Sequence, residues 1–365
     1  MDQGRASSSE VGARCYRLVE EYAALGDHRT GTEVDRATRA WLAQALSDRG
    51  AEVEERPYQL DRFVGTSRVS VDGAPLASMP VWYSAVGEHR AVAPVEHLEM
   101  LGGLLALDLD ARVDAARARG AGAVVLSTGD QLVAHNRPPV PPAGPPAVLV
   151  AGAGLEGVAS VELDAHVEPA TSATVLARFG DPVAHPIVLS TPLTGWFRCA
   201  GERGTGIAVL LELAPRVAAS HPVLVVATTG HELGHLGLRD LLRRQPPDPA
   251  AAVHVGASVA LGVPSGSGGL ELATTRLALV DASPEPTAAI GRALEPARLT
   301  LGTEGWSGIE GGDWRALGAP TLSVSGAGPS FHTEADVPAA VTSPALLETV
   351  LDALTDAVGV LAAST

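Results

Sequence analysis

The second half of the chain alternates strand and helix in an order that leaves few folds open. After residue 180 the β-branched run PIVLST at 186–191 is followed by a helical pattern from Thr205 to about Ala219. A second run, PVLVVATT at 222–229, then precedes a helix from about Leu236 and a further strand near 252–260. Strands separated by single helices pair side by side in one sheet, so this half predicts an α/β fold with parallel strands.

The flanking segments extend that pattern. Residues 10–25 and 33–48 repeat apolar side chains at helical spacing, the second run closed by Gly50, and AEVEERPYQL then alternates as a strand. The chain ends on SPALLETVLDALTDAVGVLAA, again with helical periodicity. From about 60 to 180 the character differs: RVSVDG, LLALDL, AVVLST and PAVLVAG are short strand-like runs separated by Pro and Gly, including RPPVPPAGPP at 137–146. This block reads as an inserted β-rich module with one βαβ-like passage at 101–129. The expected organisation is an α/β domain from 1–59 and 181–365, interrupted by a module from 60–180.

Charge and cysteine usage narrow the function. At 365 residues and 46% hydrophobic the chain can bury a sizeable core, whereas its net charge of −16 argues against nucleic acid and anionic membrane as partners. No apolar run reaches membrane-spanning length and MDQGRASSSEVGARC has no signal-like apolar region, so a cytoplasmic protein is expected. Cys15 and Cys199, two thiols far apart, fit a reduced state rather than a disulfide framework.

The stretch TTGHELGHLG, 228–237, contains His231-Glu232-x-x-His235. In a zinc protease that pattern lies inside a helix, so that both imidazoles share one face. Here a β-branched run leads into it and Gly234 interrupts it, while Glu271 downstream lies in another strand-like segment. The spacing therefore predicts a strand end, the place where α/β enzymes carry their site residues.

Three motifs together resemble the co-catalytic zinc aminopeptidases, the family that includes bacterial leucine aminopeptidases, glutamate carboxypeptidase II, glutaminyl cyclases and the transferrin receptor ectodomain. Gly230-His231-Glu232 is similar to the family's Gly-Glu-Glu turn, FHTEAD (Phe331 to Asp336) to its Tyr-His-Thr-x-x-Asp motif, and HRTGTEVDRATRAWLAQAL to its opening turn and helix. The resemblance implies a three-layer α/β sandwich with a mostly parallel sheet, and the insertion resembles a protease-associated domain.

It also implies a changed site. Pro192 and Thr194 stand where the family has His-x-Asp, Gly256 where it has an Asp ligand, Glu202 at its bridging Asp and His231 at its general base. One zinc site is thereby dismantled, and the other would keep Glu202, Glu232 and His332 as ligands of a single zinc, with His231 as base. Trp196, Trp306, Asp313 and Trp314, in Gly-rich loops, are candidate walls of a substrate pocket, Asp313-Trp314 resembling an Asp-His pair of the family. The implied function is a metal-dependent hydrolase of a small amide or peptide. Single-zinc acyl transfer or cyclisation, and a catalytically silent binding scaffold, remain open beside it.

Plain structural roles also stay open. Glu202 can be a solvated loop residue, Glu232 a favourable charge at a helix N-terminus and His332 a cap, while His235 and Cys199 read as packed and inert.

Overall fold

The computed structural model describes residues 8–101, 105–106, 108–180 and 185–365. Four parallel strands form the middle of the main sheet, in the order Thr321–Gly326, Ala251–Val255, Ile187–Pro192, Val223–Thr228. Their period-two alternation splits the core between two faces. Leu189, Val225 and Val253 point to one side, towards helices Ser8–Ala24, Thr205–Ala218 and Pro344–Ala362. Val188, Val226 and Ala252 point to the other, towards Leu238, Leu241 and Trp314 of helices Leu236–Arg244 and Glu310–Arg315. Helix Thr205–Ala218 is enclosed on nearly every side, and its sequence TGIAVLLELA is accordingly apolar all round rather than on one stripe. The α/β sheet with parallel strands expected from the alternating pattern is observed, in the three-layer sandwich that the resemblance implies.

Antiparallel strands flank this parallel centre. Arg276–Asp281 pairs with Thr321–Gly326 on one side, and Val158–Phe179 with Val223–Thr228 on the other. Val158–Phe179 also pairs with Glu52–Val71 in a ladder that runs without a break from Glu52 opposite Arg178 to Val71 opposite Ala159. The expected boundary at residue 60 therefore falls midway along a continuous strand, where Leu60 faces Ala170. One end of Val158–Phe179 belongs to the main sheet, through Val175–Phe179, and its other end to the inserted module, through Val158–Ala165 against Gly87–His97. A strand whose hydrogen bonds are satisfied along its whole length carries no composition change at the crossing point, so the sequence does not mark it.

In the module, Gly87–His97, Val124–Ser127 and Ala147–Val150 run parallel, with helix Leu109–Ala118 packed on them through Leu109, Val113 and Ala116. The βαβ passage is thus real, but its first strand is Gly87–His97. Of LLALDL, residues 104–109, Leu105–Ala106 hairpins against Met100–Leu101 and Leu109 opens the helix, while 104 and 107 lie outside the described residues.

Helix Glu33–Ser47 begins at Thr32, whose hydroxyl accepts the Asp35 N–H at 3.2 Å as an N-cap. Both cysteines are buried and free. Among the described residues no helix is long and apolar enough to cross a membrane.

His28 ties the opening turn to the first two helices. Its ring stacks on Tyr22 at 3.7 Å, with Nε2 3.0 Å from the Tyr22 carbonyl and Nδ1 2.9 Å from the Thr38 hydroxyl. Burial pushes its pKa down to about 3, against the Tyr22 carbonyl, which raises it. The unfolded chain therefore takes up this proton first, and the stabilisation is complete above about pH 6.5 and lost as pH falls towards about 3. Urea unfolding between pH 6.5 and 4.5 should show a loss to which His28 contributes up to about 3 kcal/mol. The slope should be shallower in His28→Gln, and equal slopes would contradict this assignment.

Candidate functional site

The sheet gathers the candidate residues at one edge, beyond the carboxyl ends of its parallel strands. Ile187–Pro192 leads to Thr194, Val223–Thr228 to the HELGH loop, and Ala251–Val255 to Gly256. Thr321–Gly326 leads towards the loop carrying His332.

Glu202 sits on the wide turn Ala200–Gly204, which enters helix Thr205–Ala218. Asp336, the last residue of FHTEAD, holds that turn by accepting the N–H groups of Gly201 at 2.6 Å and Glu202 at 3.0 Å. A side chain at Gly201 would bring its Cβ within 2.8 Å of the Asp336 carboxylate, so glycine is required there. Burial pushes the Asp336 carboxyl up to about 7, although these two backbone bonds pull it down.

At the centre lies a buried charge triad. Glu202 Oε1 is 2.7 Å from Arg203 Nη2 and 3.2 Å from His332 Nε2. Burial raises the Glu202 pKa, but the Arg203 charge and His332 outweigh it and hold the carboxyl down at about 2. Arg203 is fully buried, and burial acts to discharge it, yet Glu202 keeps it charged. Its Nε donates to the Thr194 carbonyl at 2.9 Å, while neither Nη1 nor Nη2 makes a hydrogen bond among the described residues, so the contact of Nη2 with Glu202 is one of charge and not of hydrogen-bond geometry. His332 Nδ1 faces the Ala134 carbonyl at 3.0 Å and Nε2 faces Glu202.

HELGH starts at a strand end, as its β-branched approach predicts. Gly230, Gly234 and His235 all have positive φ, of 79°, 79° and 63°, so no helix can run through the motif. Its two imidazoles stack 4.9 Å apart and go to different carboxylates: His231 Nδ1 to Glu310 at 3.0 Å and His235 Nδ1 to Asp313 at 2.7 Å. Glu310 is itself fixed by the Thr228 hydroxyl at 2.8 Å. Burial, then the Arg203 charge, push the His231 pKa well below the usual range.

Glu232 faces away from this triad. Its Oε1 accepts the Thr30 N–H at 2.8 Å and the Thr30 hydroxyl at 2.6 Å, and its Oε2 accepts the Thr194 hydroxyl at 2.8 Å. Burial raises its pKa and these hydrogen bonds oppose the rise. Of the three expected ligands, Glu202 and His332 are thus brought together while Glu232 is saturated by threonines. Among the described residues no three His, Cys, Asp or Glu side chains form a group able to hold a metal ion. The donor chemistry agrees, because zinc at Glu202 and His332 would have to displace the Arg203 guanidinium that already lies against Glu202. The residues present do not fit the metal.

The other candidates scatter. At Gly256 a Cβ would lie 2.9 Å from His254 Nε2 and 3.0 Å from the Val324 carbonyl, so the neighbouring imidazole fills the space of any side chain there. Trp314, expected in a pocket wall, is fully buried against Leu238 and Leu241 and lines no cavity among the described ones. Trp196 is buried against Trp82, ring centroids 4.3 Å apart, and donates to Asn136 at 2.8 Å. Trp306 and Asp313 do share a cavity of about 580 Å³ with Arg239, Asp281 and Arg315. Cys199 is buried, with its pKa pushed well up by burial and then by Glu202. Arg203, Glu310 and Thr30 carry the site without having been singled out from the sequence. Arg203, adjacent to Glu202, was the one with a legible signal, a cation in a small-residue turn.

No model of a known protein family matches the sequence, and neither does any curated protein. Solved structures do. A zinc aminopeptidase from Bacillus subtilis superposes with a TM-score of 0.72 at 17% identity, over 95% of this chain and 94% of its own. A peptidase M28 precursor from Shewanella amazonensis gives 0.73 at 17% identity, over 97% and 96%. The glutaminyl cyclase of Porphyromonas gingivalis gives 0.51 at 14% identity, over 96% and 97%. The chain therefore has the zinc-aminopeptidase fold over nearly its whole length, and the resemblance read from three short motifs extends to the architecture.

Thr194 supports two buried groups, since its hydroxyl donates to Glu232 and accepts the Gly230 N–H at 2.8 Å. Thr194→Val keeps the shape and removes one hydrogen bond from each group, while Thr30 still serves both, so urea unfolding should show a loss of about 1–2 kcal/mol. Thr194→Ser should stay close to the parent. Equal stability of Val and Ser variants would show that Glu232 is not held in this way.

Proposed function

We propose that this chain is a metal-free, catalytically silent protein of aminopeptidase fold, which uses the old substrate edge as a binding surface. The observation that carries this reading is Arg203, whose guanidinium lies 2.7 Å from the carboxylate that a zinc ion would need. A permanent cation satisfies the charge of Glu202 and repels a second one in a site from which water is excluded. The sequence changes point the same way, as Pro192 and Gly256 offer no donor and Glu232 accepts from Thr30 and Thr194 instead of facing His332.

A hydrolytic reading, with zinc and His231 as base, draws support from one feature. Fully buried Glu310 orients the His231 ring as a general base is oriented. The neighbours named above, a zinc aminopeptidase and a glutaminyl cyclase among them, make hydrolysis and cyclisation the activities to assay. Against both stands the guanidinium, which leaves no place for a Lewis acid beside His231.

Protein purified without a polyhistidine tag and dialysed against zinc should retain far less than one equivalent, and should neither hydrolyse aminoacyl amides nor cyclise N-terminal glutamine. Arg203→Met should cost about 3–5 kcal/mol by stranding a buried carboxylate, and adding Glu202→Gln should recover most of that loss. One tightly held zinc per chain in the parent, lost on Glu202→Ala, would overturn the proposal and restore the single-zinc enzyme.

A further inference from the structure

The inserted module reaches across the site with one segment of its own. After strand Val124–Ser127 the chain runs out through 131–139 and lies on both motif loops. Ala134 N–H donates to the His332 carbonyl at 2.9 Å, and the Ala134 carbonyl faces His332 Nδ1 at 3.0 Å. Three residues on, Arg137 N–H donates to the Glu232 carbonyl at 2.9 Å, and between them Asn136 accepts from Trp196. Ala134 is buried in an apolar cluster with Tyr58, Trp82, Trp196 and Leu233, and a Cβ on Gly234 would meet Pro138 at 3.2 Å. Arg137 anchors the far end to the module itself, through Asp110 at 2.8 Å and the Trp82 carbonyl at 2.7 Å. Beneath this strap Glu202, Arg203 and His332 are each no more than 1% exposed.

We infer that residues 132–139 are a built-in ligand of the cleft, and that the partner this surface accepts in exchange is an extended peptide segment. The contacts are those an extended chain makes: two main-chain donors of the strap meet main-chain carbonyls of the two loops, and its Ala134 carbonyl meets the His332 ring. The hydrogen bonds number few, and each contributes only modestly once exchange with water is counted. What holds the strap down is its tether, since a segment on a short linker sees its site at an effective concentration on the order of millimolar. A free peptide of similar contacts is outcompeted until the strap is loosened. The inserted module thereby gates the surface. This inference rests on the binding reading above and names its ligand class.

The test uses a fluorescein-labelled peptide of the strap's own sequence, LVAHNRPPVP, residues 132–141, read by anisotropy on the full chain. A variant with residues 133–138 replaced by a Gly-Ser linker of the same length, shown to be folded by cooperative urea unfolding, should bind the peptide at least about tenfold more tightly than the parent. Ala134→Pro, which deletes only the donor to His332, should move affinity in the same direction and serves if the linker variant fails to fold. In the parent, the Ala134 and Arg137 amides should exchange slowly and lose protection when the peptide is added at millimolar concentration. A folded opened variant that binds no better than the parent, or strap amides whose exchange the peptide leaves untouched, would overturn the inference. Zinc analysis of the same preparations separates the two proposals, because stoichiometric zinc sinks the binding reading whereas loss of peptide competition alone sinks only the strap.

Discussion

The structure depends on one buried ion triad, Arg203–Glu202–His332. A carboxylate with almost no water contact persists as an anion only if positive charge or several donors surround it, and here the Arg203 guanidinium lies 2.7 Å away and the His332 ring 3.2 Å away. The turn that presents Glu202 is in turn fixed by Asp336, four residues beyond His332, so FHTEAD secures the triad from two directions. The remaining buried carboxylates follow the same rule by other means. Glu232 accepts from Thr30 and Thr194, and Glu310 from Thr228 with His231 beside it. Each negative charge is answered locally, and none is left facing a common centre where a metal would bridge them.

Much of the fold was legible because it follows from periodicity. PIVLST, PVLVVATT and the helix between them are strands and helix within a residue or two of where their spacing puts them, and the left-handed glycines of HELGH rule out a helix there. Junctions were not legible where hydrogen bonding continues through them, as at Leu60 in the middle of a 20-residue strand. The site was legible in its nearest-neighbour part. Glu202 and His332 meet as their motifs imply. The partners that decide its chemistry are remote in sequence: Thr30 lies 202 residues from Glu232, and Glu310 lies 79 from His231. Proline-rich residues 137–146 separate strand-like runs in the sequence, and only packing shows that the chain at 134–137 lies on the loops of His332 and Glu232. Trp314 went to the core because its helix turns that face onto Leu238 and Leu241.

The two units of the chain share the site rather than merely adjoining. The ladder between Glu52–Val71 and Val158–Phe179 joins them through backbone hydrogen bonds, and the strap adds a second, weaker connection over the cleft. The first is continuous and cannot loosen without breaking the sheet. The second consists of a few bonds at a loop, and local opening of such contacts costs far less than global unfolding. In this chain the fold shared with the zinc aminopeptidases holds Arg203 beside Glu202, and its own polypeptide lies over the loops of His332 and Glu232.

The central claim is that Arg203 stands in the place of a metal, and diffraction from crystals soaked in zinc, with data collected at the zinc absorption edge, tests it most directly. The account predicts no anomalous peak bonded to Glu202 and His332, and continuous density for the Arg203 guanidinium against Glu202. A strong anomalous peak about 2 Å from both Glu202 and His332, with Arg203 swung out of the site, would contradict it.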